Sequence, residues 1–437
     1  MPGPLLRRII LCLAIASPAI VFRITGFTPN PVLDLVVFGA AVVAASFLLA
    51  WAAEAAQKDI SGALAIAILA LIAVLPEYAV DLYYAFRSGY DESYLPFAAA
   101  NMTGSNRLLL GFGWPLVVFV GISVVRRVAR EKAKEARAGS ASPSRLPTFL
   151  QLPRDSRLDI GFLALLAIVA FAIPLMGSIP IWFGALLILV FVAYLWRAGQ
   201  VHDDDGEEEF VGTAAHIAHM PQTQRRITVI AMFVVSAAII LSAAEPFATA
   251  LVDSGTALGL DSYFLVQWLA PLASEAPEFI VAVLFALRGL GAAAIGTLIA
   301  SKINQWSLLV GSLPIAHAVG GGGSALPLDA RQVEEFVLTA SQTVMGVAII
   351  VALRFHRWSA IALVAIFAVQ FVVTDTTGRY VLSAIQIAIA IAALVVHRRH
   401  ILPTLAAPFR RPSAFAAAAD PADAPAAVAT ADPALRR

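Results

Sequence analysis

Two segments of this 437-residue chain set a proline directly before a glutamate inside a long apolar run: "PEYAVDLYYAFRSG" at 76–89 and "PEFIVAVLFALRGL" at 277–290. A carboxylate at the centre of a bilayer costs at least about 2.5–3.5 kcal/mol on insertion scales, so each needs compensation. The preceding proline lacks the N–H that would bond the carbonyl four residues earlier, which frees the carbonyls of Ile72 and Ala273. At membrane depth a free carbonyl is tolerated only where protein buries it or water reaches it. Glu77 and Glu278 together would supply up to four carboxylate oxygens, with backbone oxygens beside them. Calcium takes six to eight oxygen ligands in a flexible cage, and Asn101, Thr103, Ser105, Asn106, Ser301, Asn304 and Gln305 lie close enough in sequence to complete one. The set contains no His or Cys, which makes zinc and copper poor fits.

The segments that must position these groups are repeated. Pro76/Pro277, Glu77/Glu278, Val80/Val281, Ala85/Ala286 and Arg87/Arg288 match without a gap, and "ANMTGSNRLLLG" (100–111) lies against "GTLIASKINQWS" (296–307), aligning Ser105 with Ser301. "AAE" ends one helix at Glu54 and recurs at Glu245. A plainer reading sets Arg107 and Lys302 to neutralise Glu54, Asp81, Glu245 or Glu275, and that reading is preferred for those four acids. Asp81 shares a face with Glu77, but Ala282 holds its repeat position, so any contribution from it is asymmetric. His317 reads as a packing or rim residue.

The chain is 60% hydrophobic and 14% charged, against roughly 25% charged in soluble domains. Its apolar runs are long enough for helices to cross about 30 Å of hydrocarbon, which predicts an all-α polytopic membrane protein. The expected helices are 9–28, 32–56, 60–87, 95–125, 158–176, 179–197, 227–254, 262–288, 292–319, 333–356, 359–375 and 380–397, about twelve in all. Positive residues cluster in 126–157, which the positive-inside rule makes cytoplasmic. Counting outward, Arg7, Arg8, Lys58, Arg225, Arg226, Arg288, Arg354, Arg357, Arg398 and Arg399 fall on that side, as do both termini; Arg23, Arg87, Arg331 and Arg379 face the other way. Arg87 and Arg288 thus lie on opposite sides, so the repeats run through the membrane in opposite directions, an architecture of secondary transporters.

A net charge of +1 argues against nucleic acid, and the single Cys12 excludes a disulfide framework. The N-terminus reads as an uncleaved helix, with a cleaved signal at Ala14-Ile15-Ala16 as the alternative. "HDDDGEEE" (202–209) reads as a solvated acidic loop without calcium-loop spacing, Gly320–Gly323 as a flexible loop, and 401–437 as a disordered tail. The resulting division is an extra helix in 1–31, a first repeat in 32–197, an acidic loop in 198–226, a second repeat in 227–376, an extra helix in 377–400 and the tail.

On these motifs the chain resembles the calcium/cation antiporter superfamily of sodium/calcium exchanger-like membrane proteins. The resemblance implies two inverted repeats of about five helices each, covering about 32–376, with one extra helix at each end. Carried over by position, it implies Glu77 and Glu278 as shared calcium and sodium carboxylates, and Ser274, Ser105 and Ser301 as hydroxyl ligands. Departures stand out. The family's Thr-Ser before Pro-Glu reads Ala73-Val74 and Ser274-Glu275, its Asn or Asp four residues after the motif serine reads Leu109 and Gln305, and "GSN" has become Ala300-Ser301-Lys302. Fewer sodium ligands and two new cations, Arg107 and Lys302, suggest altered stoichiometry or proton coupling.

The expected ligand set is therefore Glu77, Glu278, Ser105, Ser301, Ser274, Asn101 and Gln305, without a resident cofactor. The function implied is an inner-membrane antiporter, not an enzyme, exchanging an inorganic cation, calcium first, for sodium or protons by alternating access. A sodium/proton exchanger and a transport-inactive sensor or scaffold are the alternatives. An intramembrane aspartyl protease would need two Asp close enough to share a proton, and no such pair is evident.

Overall fold

The computed structural model describes residues 3–56, 58–59, 75–136, 148–201, 210 and 212–410. The described chain is helical almost throughout. In hydrocarbon every backbone polar group must be satisfied within the chain, and a helix does that locally. It opens with α1 (Gly3–Thr25) and α2 (Pro31–Ala56), then α3 (Leu75–Arg87), which carries the first Pro-Glu pair. A 3-10 turn (Glu92–Phe97), α4 (Ala100–Leu108), a π-helical turn (Leu109–Gly113) and α5 (Trp114–Ala136) follow as one run. After β1 (Phe149–Gln151) come α6 (Ser156–Val169), α7 (Ala172–Met176), β2 (Ser178–Pro180), α8 (Ile181–Val201) and α9 (Gly212–Ala218).

The remainder comprises α10 (Gln222–Leu258), α11 (Ser262–Leu287), α12 (Gly291–Asn304), a second π-helical turn (Gln305–Leu309) and α13 (Val310–Val319). It ends with β3 (Ala325–Pro327), α14 (Ala330–Ile350), β4 (Arg354–His356), α15 (Arg357–Val369), α16 (Thr376–Val396), α17 (Arg398–Leu405) and a 3-10 turn at Ala407–Phe409. Asp155, Asp261, Asp329 and Asp375 cap α6, α11, α14 and α16 through their side chains, satisfying N–H groups that a helix start leaves open.

Eight helices among the described residues are long and apolar enough to cross a bilayer, and α11, bent by 52° between Ala276 and Glu278, adds a ninth. A proline at 277 accounts for a bend there, because it removes one rung of the helix ladder. The other three expected spans differ in form. Residues 60–74 lie outside the described chain, 292–319 is broken by the second π-helical turn, and 359–375 shortens to the 13-residue α15.

Two expectations about loops need correction. The basic segment 126–157 is helical to Ala136, continuing α5, and pairs as β1 before α6 begins. The tail is ordered to residue 410, because Arg197 donates to the carbonyls of Pro408 and Arg410 and holds this part against the bundle. The acidic loop 202–209 and residues 411–437 lie outside the described residues. Within Gly320–Gly323 two positions pack closely, a Cβ on Gly320 colliding with the Phe86 carbonyl and one on Gly322 with the His317 ring, whereas one on Gly321 or Gly323 would meet no collision.

Two correspondences link the halves. Each π-helical turn begins four residues after an aligned serine, Leu109 after Ser105 and Gln305 after Ser301. Both ladders join one strand from each half: β1 with β4 (Leu150 opposite Phe355), and β2 with β3 (Ile179 opposite Leu326).

The apolar interior divides into bodies with a seam between them. One core is built from α5, α6, α8 and α12 to α15, around Trp114, Phe183, Trp306 and Phe336. A second is built from α1, α2 and α10, around Phe38, Leu49, Ile240 and Phe247. Helices α3 and α11 face both: Tyr78 and Phe279 enter the first core, Val80 and Ala273 the second. The polar groups of the Pro-Glu segments lie along this seam.

Candidate cation site

Helix α4 meets α11 without an intervening side chain at Gly104, where a Cβ would collide with the Gln267 carbonyl. That approach brings Ser105 and Asn101 of α4 towards the acids of α3 and α11. Glu77 is buried beside Ser105 and Gln305, and it faces Asp81 and Glu278. Glu278 accepts a 2.6 Å hydrogen bond from Ser301 Oγ and lies against Glu275. Glu275 accepts from Gln305 Nε2 at 2.9 Å. Asp81 is fully buried beside Asn101 and the Met102 amide. Glu278 and Ser274 are half-buried, whereas Glu77, Asp81, Glu275 and Asn101 are buried.

The structure therefore brings together six of the seven expected residues: Glu77, Glu278, Ser105, Ser301, Gln305 and Asn101. Ser274 bonds back to its own helix, donating to the Ala270 carbonyl at 3.2 Å. Two acids assigned to ion pairing belong to this group instead. Glu275 is one helical turn before Glu278 and Asp81 one turn after Glu77, spacings that put each pair on one helix face. That spacing was readable from sequence; neither acid has a repeat counterpart, which hid it.

The expected pairing of the two cations also needs correction. Arg107 turns to Glu335 of α14, at 2.6 Å, and stacks 4.9 Å from the Trp268 ring centre. Glu335 is shared with Arg379, which also holds Glu334 at 2.8 Å. Glu245 pairs with Arg23 at 2.8 Å. Lys302 meets no carboxylate among the described residues; its Nζ donates to the backbone carbonyl of Asn106 at 2.9 Å and to its Oδ1.

Seven buried oxygens of the seam have no hydrogen-bond partner at normal distance and angle, although Ser105 and Gln305 stand close to Glu77, and Asn101 and the Met102 amide close to Asp81: Glu77 Oε1, both Asp81 carboxylate oxygens, Asn101 Oδ1, Ser105 Oγ, Glu275 Oε2 and Gln305 Oε1. Leaving one buried polar group unsatisfied costs about 1–3 kcal/mol, and a set of hard oxygens with unused lone pairs is what a calcium-sized cation requires. The oxygens are gathered but not closed: among the described residues no three acidic, histidine or cysteine side chains converge on one point. A bound ion would have to draw them together.

A profile of the sodium/calcium exchanger protein family matches residues 31–199 and 228–374. The chain belongs to that family, within the calcium/cation antiporter superfamily, and is an integral membrane protein of the exchanger class. Its structure is similar to that of the H+/Ca2+ exchanger CAX, with a TM-score of 0.84 and 33% identity over 94% of this chain and 99% of that one. The fold is also shared with native YfkE, at a TM-score of 0.57 and 16% identity over 87% of this chain and 99% of the other. A second structure of YfkE, described as a Ca2+/H+ antiporter, gives 0.57 and 17% over 83% and 98%. No curated protein matches the chain.

Proposed function

We propose that this protein is an inner-membrane antiporter that exchanges calcium for protons at the seam between α3 and α11. The observation that carries the reading is the set of unpartnered buried oxygens on Glu77, Asp81, Glu275, Ser105, Asn101 and Gln305. Four carboxylates gathered in a low-dielectric interior repel one another and demand positive charge. Among the described residues no arginine or lysine forms an ion pair with them. A divalent cation compensates them while cargo is bound, and protons compensate them once it leaves. Antiport follows from that alternation: the acids cannot be left bare of both. The similarity to an exchanger described as H+/Ca2+ supports the proton as counter-ion.

In this reading Glu77 and Glu278 are the common ligands, Asp81 and Glu275 add charge, and Ser105, Ser301, Asn101 and Gln305 complete the shell. Half-buried Glu278 is the least enclosed of the four carboxylates, and we assign it to meet the entering ion first. Helices α2 and α10 pack on each other and, with α1, supply most of the second core against α3 and α11, and in this reading they slide along the seam and expose the site alternately to each side. The matched π-helical turns and the exchange of strands between the halves support two related repeats; the proposed layout is twelve helices in two inverted repeats with both termini cytoplasmic.

The test is radiolabelled calcium uptake into proteoliposomes under a pH gradient and, separately, under a sodium gradient, with Glu278→Gln as control. Uptake driven by the pH gradient and lost in the variant is expected. Uptake driven by sodium alone would reassign the counter-ion. No uptake under either gradient, with sodium/proton exchange present instead, would overturn the assignment of calcium.

A further inference from the structure

Lys302 is 1% exposed, yet among the described residues its ammonium has no ionic partner. Both of its recorded bonds go to one residue, Asn106, through the backbone carbonyl and the side-chain Oδ1. The alignment that sets Ser105 against Ser301 sets Asn106 against Lys302, so the contact joins a residue to its own repeat equivalent. Two equivalent residues can touch only where the axis relating the halves passes. Thr343 Oγ1 lies 3.5 Å from Asn106 Oδ1 and receives Trp306 Nε1 at 3.1 Å. The ammonium therefore sits against two oxygens of Asn106, and Lys302 follows directly on Ser301, whose hydroxyl bonds Glu278. An ammonium has three donors and no acceptor, and to surrounding oxygens it resembles a dehydrated monovalent cation.

We infer that Lys302 is a resident cation: it fills a monovalent-cation position between the two halves, and removing it uncovers a sodium site next to the carboxylates. This inference rests on the proposed antiport reading. It gives that reading a determinant of ion specificity: the wild-type chain places an amine of its own where an exchanged sodium would otherwise bind.

Lys302→Ala leaves the oxygens and the space, Lys302→Met fills the space without charge, and Lys302→Asn gives both halves the same residue. Each variant is measured in two ways: thermal stability in detergent with sodium chloride against choline chloride at equal ionic strength, and calcium uptake under a sodium gradient. The wild type is expected to show no difference between the two salts. Lys302→Ala and Lys302→Asn should be stabilised saturably by sodium, with sodium-driven calcium uptake at least about tenfold above wild type, a change of about 1.4 kcal/mol in coupling. Lys302→Met should gain neither. Should Lys302→Ala fold only when sodium is present, the inference is supported as well. Wild-type protein already stabilised by sodium would overturn it, as would folded Ala and Asn variants indifferent to sodium. Wild-type uptake under a pH gradient, lost in Glu278→Gln, reports on the antiport reading alone, so failure of the sodium arm is distinguishable from failure of that reading.

Discussion

Buried charge occurs in two places in this bundle. Along the seam, Glu77, Asp81, Glu275 and Glu278 lie together without an ion-pair partner among the described residues. Between α4, α14 and α16, Glu334 and Glu335 are matched by Arg107 and Arg379, and Gln370 completes the second set by accepting from Arg107 at 3.3 Å. The second set balances itself and ties helices together. The first does not, and must take its positive charge from outside the chain. The difference separates a structural network from a transport site on charge count, although most members of both are hidden from solvent.

Four substitutions test that distinction. Arg107→Met leaves Glu335 with one cation fewer and should cost about 3–5 kcal/mol, the usual penalty for breaking a buried pair from one side. Thermal inactivation of purified protein measures it, and Glu335→Gln in the same chain should recover part of the loss. If Arg107→Met instead folds as wild type but no longer transports, the network is not merely structural. Glu278→Gln removes one charged ligand from the seam and should lower calcium uptake about 100-fold, corresponding to roughly 3 kcal/mol, with the elution profile in gel filtration unchanged. A loss of folded protein would place Glu278 with the structural charges.

Asp81→Asn removes an acid that only one half carries. Uptake should fall about tenfold, or about 1.4 kcal/mol, as measured in the same proteoliposomes; unchanged uptake would shrink the site to its symmetric members. The smallest effect is expected outside the membrane. Hydrogen bonds from Arg225, then the charges of Arg225 and Arg226, hold the Asp59 carboxyl down at about 2. Its folded value lies below the unfolded value of about 3.9, so the stability it contributes is complete above about pH 4. That contribution is lost as pH falls through about 2. Asp59→Asn should therefore cost about 1 kcal/mol near neutrality and converge with wild type in acid, as followed by thermal inactivation against pH.

The Pro-Glu pairs and their serines were legible because repetition singles them out among apolar residues that otherwise look alike. The same filter concealed Glu275 and Asp81: Val74 and Ala282 hold the equivalent positions, so nothing marked them except their spacing from Glu278 and Glu77. Arg107 was legible as a buried cation, but its partner was not. Glu335 lies in a different half, and only the packing of α4 against α14 brings the two together. The π-helical turns follow the motif serines without a distinguishing residue type, because the choice between α and π bonding depends on neighbouring helices. The span count from hydrophobic runs met its limit at α12 and α13, where one apolar segment is divided by such a turn.

The contact between Lys302 and Asn106 bears on why both halves are carried on one polypeptide. In a dimer of identical single-repeat chains, a position on the axis always meets a copy of itself. A lysine there would face a lysine and two asparagines would face each other, so neither arrangement sets one ammonium against one amide oxygen. Joining the halves in a single gene frees the axial position from that identity. The chain can then hold an odd number of fixed charges at its centre, which a symmetric pair of identical subunits cannot do.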